Sequence, residues 1–185
     1  MLVEQLAYAQ KADPLSLIIK ADTAEMLNYS GRFAESQREA QKALDMDPNF
    51  LPAHLCLADV YVGTKNYQGA VADLQKALSL APDDAWTLAR LGAIYALAGE
   101  RNKAEIILQG MLSDSKDRGD SALNVAQIYS ALGENDQALA YLEKAYEYRE
   151  GGLILMNVRH EFQNLHSDPR FVDLTRRVGL PAPSQ

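Results

Sequence analysis

Residues 51–82 read LPAHLCLADVYVGTKNYQGAVADLQKALSLAP. Within them Leu57, Ala58 and Tyr61, then Tyr67, Ala70, Leu74 and Ala77, recur three and four residues apart. That spacing puts side chains on one face of an α-helix. Lys65 stands where the chain must turn between the two runs. Pro82 closes the unit, because proline cannot continue a helix. The stretch therefore predicts two antiparallel helices joined by a tight turn.

The same pattern spreads in both directions with a period of 34 residues. Gly31, Lys65, Gly99 and Gly133 share one register. Repeat starts fall at Leu17, Leu51, Ala85 and Gly119. The eighth position holds Ala24, Ala58, Gly92 and Ala126, and the twentieth holds Ser36, Ala70, Ala104 and Ala138. Small residues at these positions let the two helices of a hairpin approach closely. The eleventh position holds Leu27, Tyr61, Tyr95 and Tyr129, and the twenty-fourth holds Ala40, Leu74, Leu108 and Leu142. Most of these are large and fill the space beside the small ones. The twenty-seventh holds Ala43, Ala77, Met111 and Ala145. The turn position favours glycine, which tolerates positive φ.

This pattern resembles the tetratricopeptide repeat, a 34-residue helix–turn–helix unit. Lys116 and Glu150 replace its proline, and Arg101 and Asn135 stand where an aromatic is usual. The resemblance implies an all-α fold, a right-handed superhelical solenoid of antiparallel helix pairs. Residues 15–150 form four hairpins. Residues 1–14 match the second half of another repeat, since Leu6, Ala9 and Pro14 precede Ala40, Ala43 and Pro48 by one period. They are either a cap or the trace of a truncation, with truncation the favoured reading.

Residues 151–185 form a closing segment. Gly151-Gly152 is expected to break the last repeat helix, and Leu153–Val158 to form a short buried helix. Asp168-Pro169 has the form of an N-cap followed by proline at the first helical position. Phe171, Leu174 and Val178 then follow at helical spacing, which predicts a capping helix over Pro169–Val178. The run from Phe162 to Pro181 resembles the end of such repeat regions in large bacterial multidomain signalling proteins. The resemblance implies a preceding effector domain such as a regulator, kinase or cyclase.

The chain carries 25 acidic and 18 basic residues, a net charge of −7. That balance disfavours nucleic-acid backbones as partners. No apolar run approaches the roughly 20 residues a membrane helix needs, so no membrane partner is expected. The single cysteine, Cys56, excludes an intramolecular disulfide and fits a reducing, cytoplasmic location. Neither a signal peptide nor a phosphate-binding loop is legible. His54 is expected to pack against a neighbouring hairpin. His160 and His166 lack a metal-ligand motif, so no metal and no cofactor is expected. Nothing in the sequence assembles an acid, base or nucleophile, and the chain is read as a non-enzyme.

The family resemblance implies that the first helices of successive repeats line a concave groove. In the first repeat this face holds Asp22, Glu25, Asn28 and Tyr29. In the second it holds Leu55 and Asp59, in the third Trp86 and Arg90, and in the fourth Asn124 and Gln127. Tyr29, Trp86 and Arg90 are the residue types that anchor interfaces, although Trp86 could equally pack between hairpins. Asp22, Glu25 and Asp59 favour a polar or basic ligand. Some family members clamp chaperone C-termini with two carboxylates. Ala21, Glu25, Cys56 and Trp86 occupy four of that clamp's slots, and only Arg90 matches, so this mode is not expected. The function read here is a protein- or peptide-binding scaffold. The alternative is a self-association module, with a homodimer as its product, inside a larger bacterial regulator, kinase or cyclase.

Overall fold

Each repeat turn closes through one residue with left-handed backbone. Gly31, Lys65, Gly99 and Gly133 have φ of 71°, 59°, 81° and 78°. The residue after each donates its N–H back to the eleventh-position carbonyl: Arg32 to Leu27 and Asn66 to Tyr61, Glu100 to Tyr95 and Glu134 to Tyr129, at 2.7–2.9 Å. These bonds satisfy carbonyls that a helix end leaves open.

The computed structural model describes residues 2–114 and 121–183, which are helical with no strand among them. The helices are α1 (Leu2–Ala12), α2 (Leu17–Tyr29), α3 (Phe33–Met46), α4 (Leu51–Gly63), α5 (Tyr67–Leu80), α6 (Ala85–Leu97), α7 (Arg101–Asp114), α8 (Ala122–Ala131), α9 (Asn135–Glu147) and α10 (Pro169–Val178). Two 3-10 turns, Gly151–Leu155 and His160–Leu165, lie between α9 and α10. The expected fourth repeat start at Gly119 and the Lys116 position lie outside the described residues.

The chain forms two compact units divided between Asp83 and Asp84. In the first, α1 packs on α2, and the α2–α3 hairpin packs on the α4–α5 hairpin. Ala24, Ala58, Ser36 and Ala70 are fully buried, which lets the helices close on one another. Ser36 Oγ donates to the Ala24 carbonyl at 2.6 Å, so the one polar residue in this set is satisfied. Gln10 of α1 bonds Thr23 Oγ1 at 3.2 Å and Glu39 at 3.1 Å.

The second unit stacks α6–α7 on α8–α9 and closes with the 3-10 turns and α10. Gly92, at an eighth position, is closely packed: a Cβ there would lie 2.9 Å from Ile128 Cδ1 and 3.1 Å from Ile107 Cγ2. Leu142, Met156, Phe162, Leu165, Phe171 and Leu174 are fully buried in one apolar cluster. The capping helix runs over Pro169–Val178 as predicted, with Asp168 Oδ1 accepting from Arg170 N at 2.8 Å.

Two expectations are corrected. The last repeat helix ends before the glycine pair: Arg149 takes φ 57°, and Glu150 N donates to the Ala145 carbonyl at 2.9 Å. Gly151 and Gly152 instead begin a 3-10 turn. The stretch after them is not buried along its length. Leu153 and Met156 are buried, but Ile154 and Val158 are 64% and 44% exposed.

Glu150, which replaces the repeat proline, has a positive role. Its carboxylate accepts from Ala122 N at 2.8 Å and Leu123 N at 3.2 Å, and from Ser121 Oγ. A carboxylate there satisfies open N–H groups of α8 and meets the positive end of its dipole.

Candidate peptide-binding faces

In the first unit the predicted face lies on α2 and α4, which pack side by side. Spacing of three and four residues along α2 aligns Asp22, Glu25, Asn28 and Tyr29. Asp22 is exposed and Glu25 half-buried. Tyr29 Oη donates to Glu25 Oε1 at 2.8 Å. Asn28 is buried, and its Oδ1 has no hydrogen-bond partner among the described residues. On α4, Leu55 and Asp59 are half-buried, one turn apart. Cys56 between them is buried, with Sγ toward the Ala21 carbonyl at 3.5 Å.

In the second unit Trp86 and Arg90 lie one turn apart on α6. Trp86 is half-buried. Arg90 is 2% exposed, and its guanidinium lies 4.6 Å from the indole centre. Arg90 is therefore a buried contact of the indole, not an exposed anchor. Asn124 and Gln127 of α8 are also buried, Gln127 completely. Asn124 Oδ1 and both amide atoms of Gln127 have no partner among the described residues.

Arg159, from the closing segment, also reaches this face. Its guanidinium lies 4.9 Å from the Trp86 ring centre. The segment is held to α8 by Ser130, whose Oγ donates to the Glu161 carbonyl at 2.7 Å, and by Asn164 Nδ2, which donates to the Ser130 carbonyl at 3.0 Å. Sequence reasoning missed Arg159, because it lies past the repeats, where no periodicity assigns a face.

The histidines are structural. His54 bonds both its own hairpin and the end of the preceding repeat: Nδ1 lies 2.7 Å from Asp73 Oδ1 and Nε2 3.1 Å from the Pro48 carbonyl. Burial pushes the Asp73 carboxyl above its ordinary value, and the His54 bond opposes that shift. His160 Nδ1 lies 3.0 Å from Gln163 Nε2, and His166 stacks on Phe171. Among the described residues no His, Cys, Asp and Glu side chains gather in threes as a metal site would require, and no helix is long and apolar enough to cross a membrane.

Comparison with known proteins finds the same kind of repeat. Tetratricopeptide repeat models match residues 27–85, 63–123 and 119–151. The chain is 33% identical over 138 residues to cellulose synthase operon protein C of Komagataeibacter xylinus, and spans 10% of that protein's length. Its fold is similar to that of a thermophilic TPR protein in Thermus thermophilus. The TM-score is 0.65 at 22% identity, over 96% of this chain and 87% of that one. It is also similar to MamA, with a TM-score of 0.56 at 22% identity, over 82% and 88% of the two chains. YrrB, described as a TPR protein with an unusual peptide-binding site, has a TM-score of 0.56 at 16% identity, over 95% and 91%. Period, turn geometry, buried small residues and family match coincide, and the chain belongs to the tetratricopeptide repeat family.

Proposed function

We propose that this chain is a non-catalytic interaction module that holds an extended segment of a partner protein on the first-helix faces of its repeats. One observation carries the reading. In both units these faces combine partly exposed side chains with buried amides whose oxygens lack partners among the described residues: Asn28 beside Glu25 and Tyr29, and Asn124 and Gln127 on the unit that carries Trp86. Buried polar groups are ordinarily paired. A peptide main chain offers the missing donors and acceptors. The description of YrrB as peptide-binding is in keeping with this use of the fold.

A peptide selected from a displayed library against the full chain provides the test. Trp86→Ala is expected to weaken it by about 2 kcal/mol, the scale of an interface hot spot. Unchanged affinity in Trp86→Ala and Tyr29→Ala together would reject the first-helix faces.

Self-association is a second reading, favoured by exposed apolar side chains at the start of the first unit. Tyr8 is 74%, Leu15 72% and Ile18 54% exposed. Sedimentation velocity across a hundredfold concentration range checks it. A dimer that Leu15→Glu dissociates supports the reading, and a monomer throughout removes it.

A further inference from the structure

The Arg159 side chain is nine-tenths buried, at 10% exposure. A guanidinium has five N–H donors and no acceptor. Its carboxylate neighbour is Glu161, whose Oε1 lies 3.5 Å from Nη1. That is well beyond the roughly 2.7–2.9 Å of a charge-assisted bond. Arg159 Nε has no partner among the described residues. Trp86 covers the flat face of the group at 4.9 Å, and a ring face accepts no in-plane N–H. Glu161 supplies one anion, but the buried Nε donor stays unpaired, which is unfavourable unless an acceptor completes it. The matching shape is a carboxylate in the plane of the fork, which takes two N–H groups at once.

The neighbouring groups suit a peptide that carries such a carboxylate. Gln127 stands one turn before Ser130 on α8, and Ser130 Oγ bonds the Glu161 carbonyl. The Gln127 amide is buried on the helix that anchors the stretch carrying Arg159. It presents one donor and one acceptor, the complement of a peptide group, and Asn124 Oδ1 adds a second acceptor.

We propose that the segment following the last repeat completes a carboxylate subsite in the second unit. Arg159 receives the carboxylate of an acidic peptide, Trp86 forms the wall, and Gln127 and Asn124 bond the adjoining main chain. The subsite rests on the peptide-binding reading above. It differs from the two-carboxylate clamp set aside earlier, because its cation comes from outside the repeats.

Trp86 is the chain's single tryptophan, so its emission reports on this site alone. The full chain is titrated with four hexapeptide pools. Three are amidated, with central Glu/Asp, Lys/Arg or neutral residues, and the fourth is neutral with a free C-terminus. Calorimetry follows binding and fluorescence follows Trp86. A carboxylate pool is expected to bind at least about tenfold tighter than the amidated neutral pool, with a shift in Trp86 emission. Preference for the acidic amidated pool identifies a side-chain carboxylate, and preference for the free-acid pool identifies a chain terminus. Arg159→Gln is expected to abolish the preference, and Arg159→Lys, which keeps the charge without the fork, to reduce it. The preference ratio is independent of folded fraction, so a merely structural role for Arg159 would leave it unmoved. Equal binding of acidic and neutral pools, or a preference that survives Arg159→Gln, overturns the subsite while leaving peptide binding intact. Failure of every pool to bind overturns both.

Discussion

Lys65 occupies the turn position that three other repeats give to glycine, at φ 59°. A side chain in that conformation costs about 1–2 kcal/mol. Gly99 holds the same position in the next repeat, and a Cβ there would meet nothing within 4 Å. Exchanges at the two sites therefore isolate backbone strain from packing. Lys65→Gly should raise stability by about 0.5–1 kcal/mol, after the added chain entropy of glycine is subtracted. Gly99→Lys should lower it by a similar or larger amount, both read from urea melts. The period alone makes the turn legible at Lys65, though lysine is no turn residue. It does not make Arg149 legible, because a nearby glycine pair offers a stronger local signal than the residue that actually takes the left-handed turn. The burial of Arg90 and Gln127 is likewise invisible to spacing, which assigns a face but not a depth.

Helix interiors follow from apolar spacing, whereas helix ends depend on groups the local sequence does not reveal. The cap on α8 comes from Glu150, from beyond the following helix. Glu150→Ala should destabilise the second unit by about 1–2 kcal/mol, and Glu150→Gln by less, as measured by chemical denaturation. Two aspartates give opposite pH signatures. The Asp168 carboxyl is lowered chiefly by the Arg170 side chain and then by the Arg170 N–H. Its stabilising contribution is present above the unfolded value of about 4 and is lost as pH falls through the folded one. The Asp73 carboxyl is raised by burial. Its contribution is present below about pH 4 and is lost as pH rises through the raised value. Subtracting the stability of Asp168→Asn from the parent between pH 3 and 6 should give a difference that grows with pH. The same subtraction for Asp73→Asn should give one that shrinks. Parallel slopes would contradict the assignment of these environments.

Within each unit, the columns of small and large residues describe packed helical hairpins, whose first helices are proposed above to carry the recognition surface. The four hairpins and the closing helix follow from periodicity. The contribution of the closing segment to the face does not, because Arg159 reaches Trp86 through a 3-10 stretch with no helical repeat. The two units present different chemistry on their first helices: carboxylates and a tyrosine on α2 and α4, an indole, arginines and amides around α6 and α8. The most direct test of recognition by these faces is amide chemical-shift mapping of the full chain with a display-selected peptide. Shifts concentrated on α2 and α4, or on α6, α8 and Arg159, are the predicted result. Shifts confined to α3, α5, α7 and α9 would contradict it.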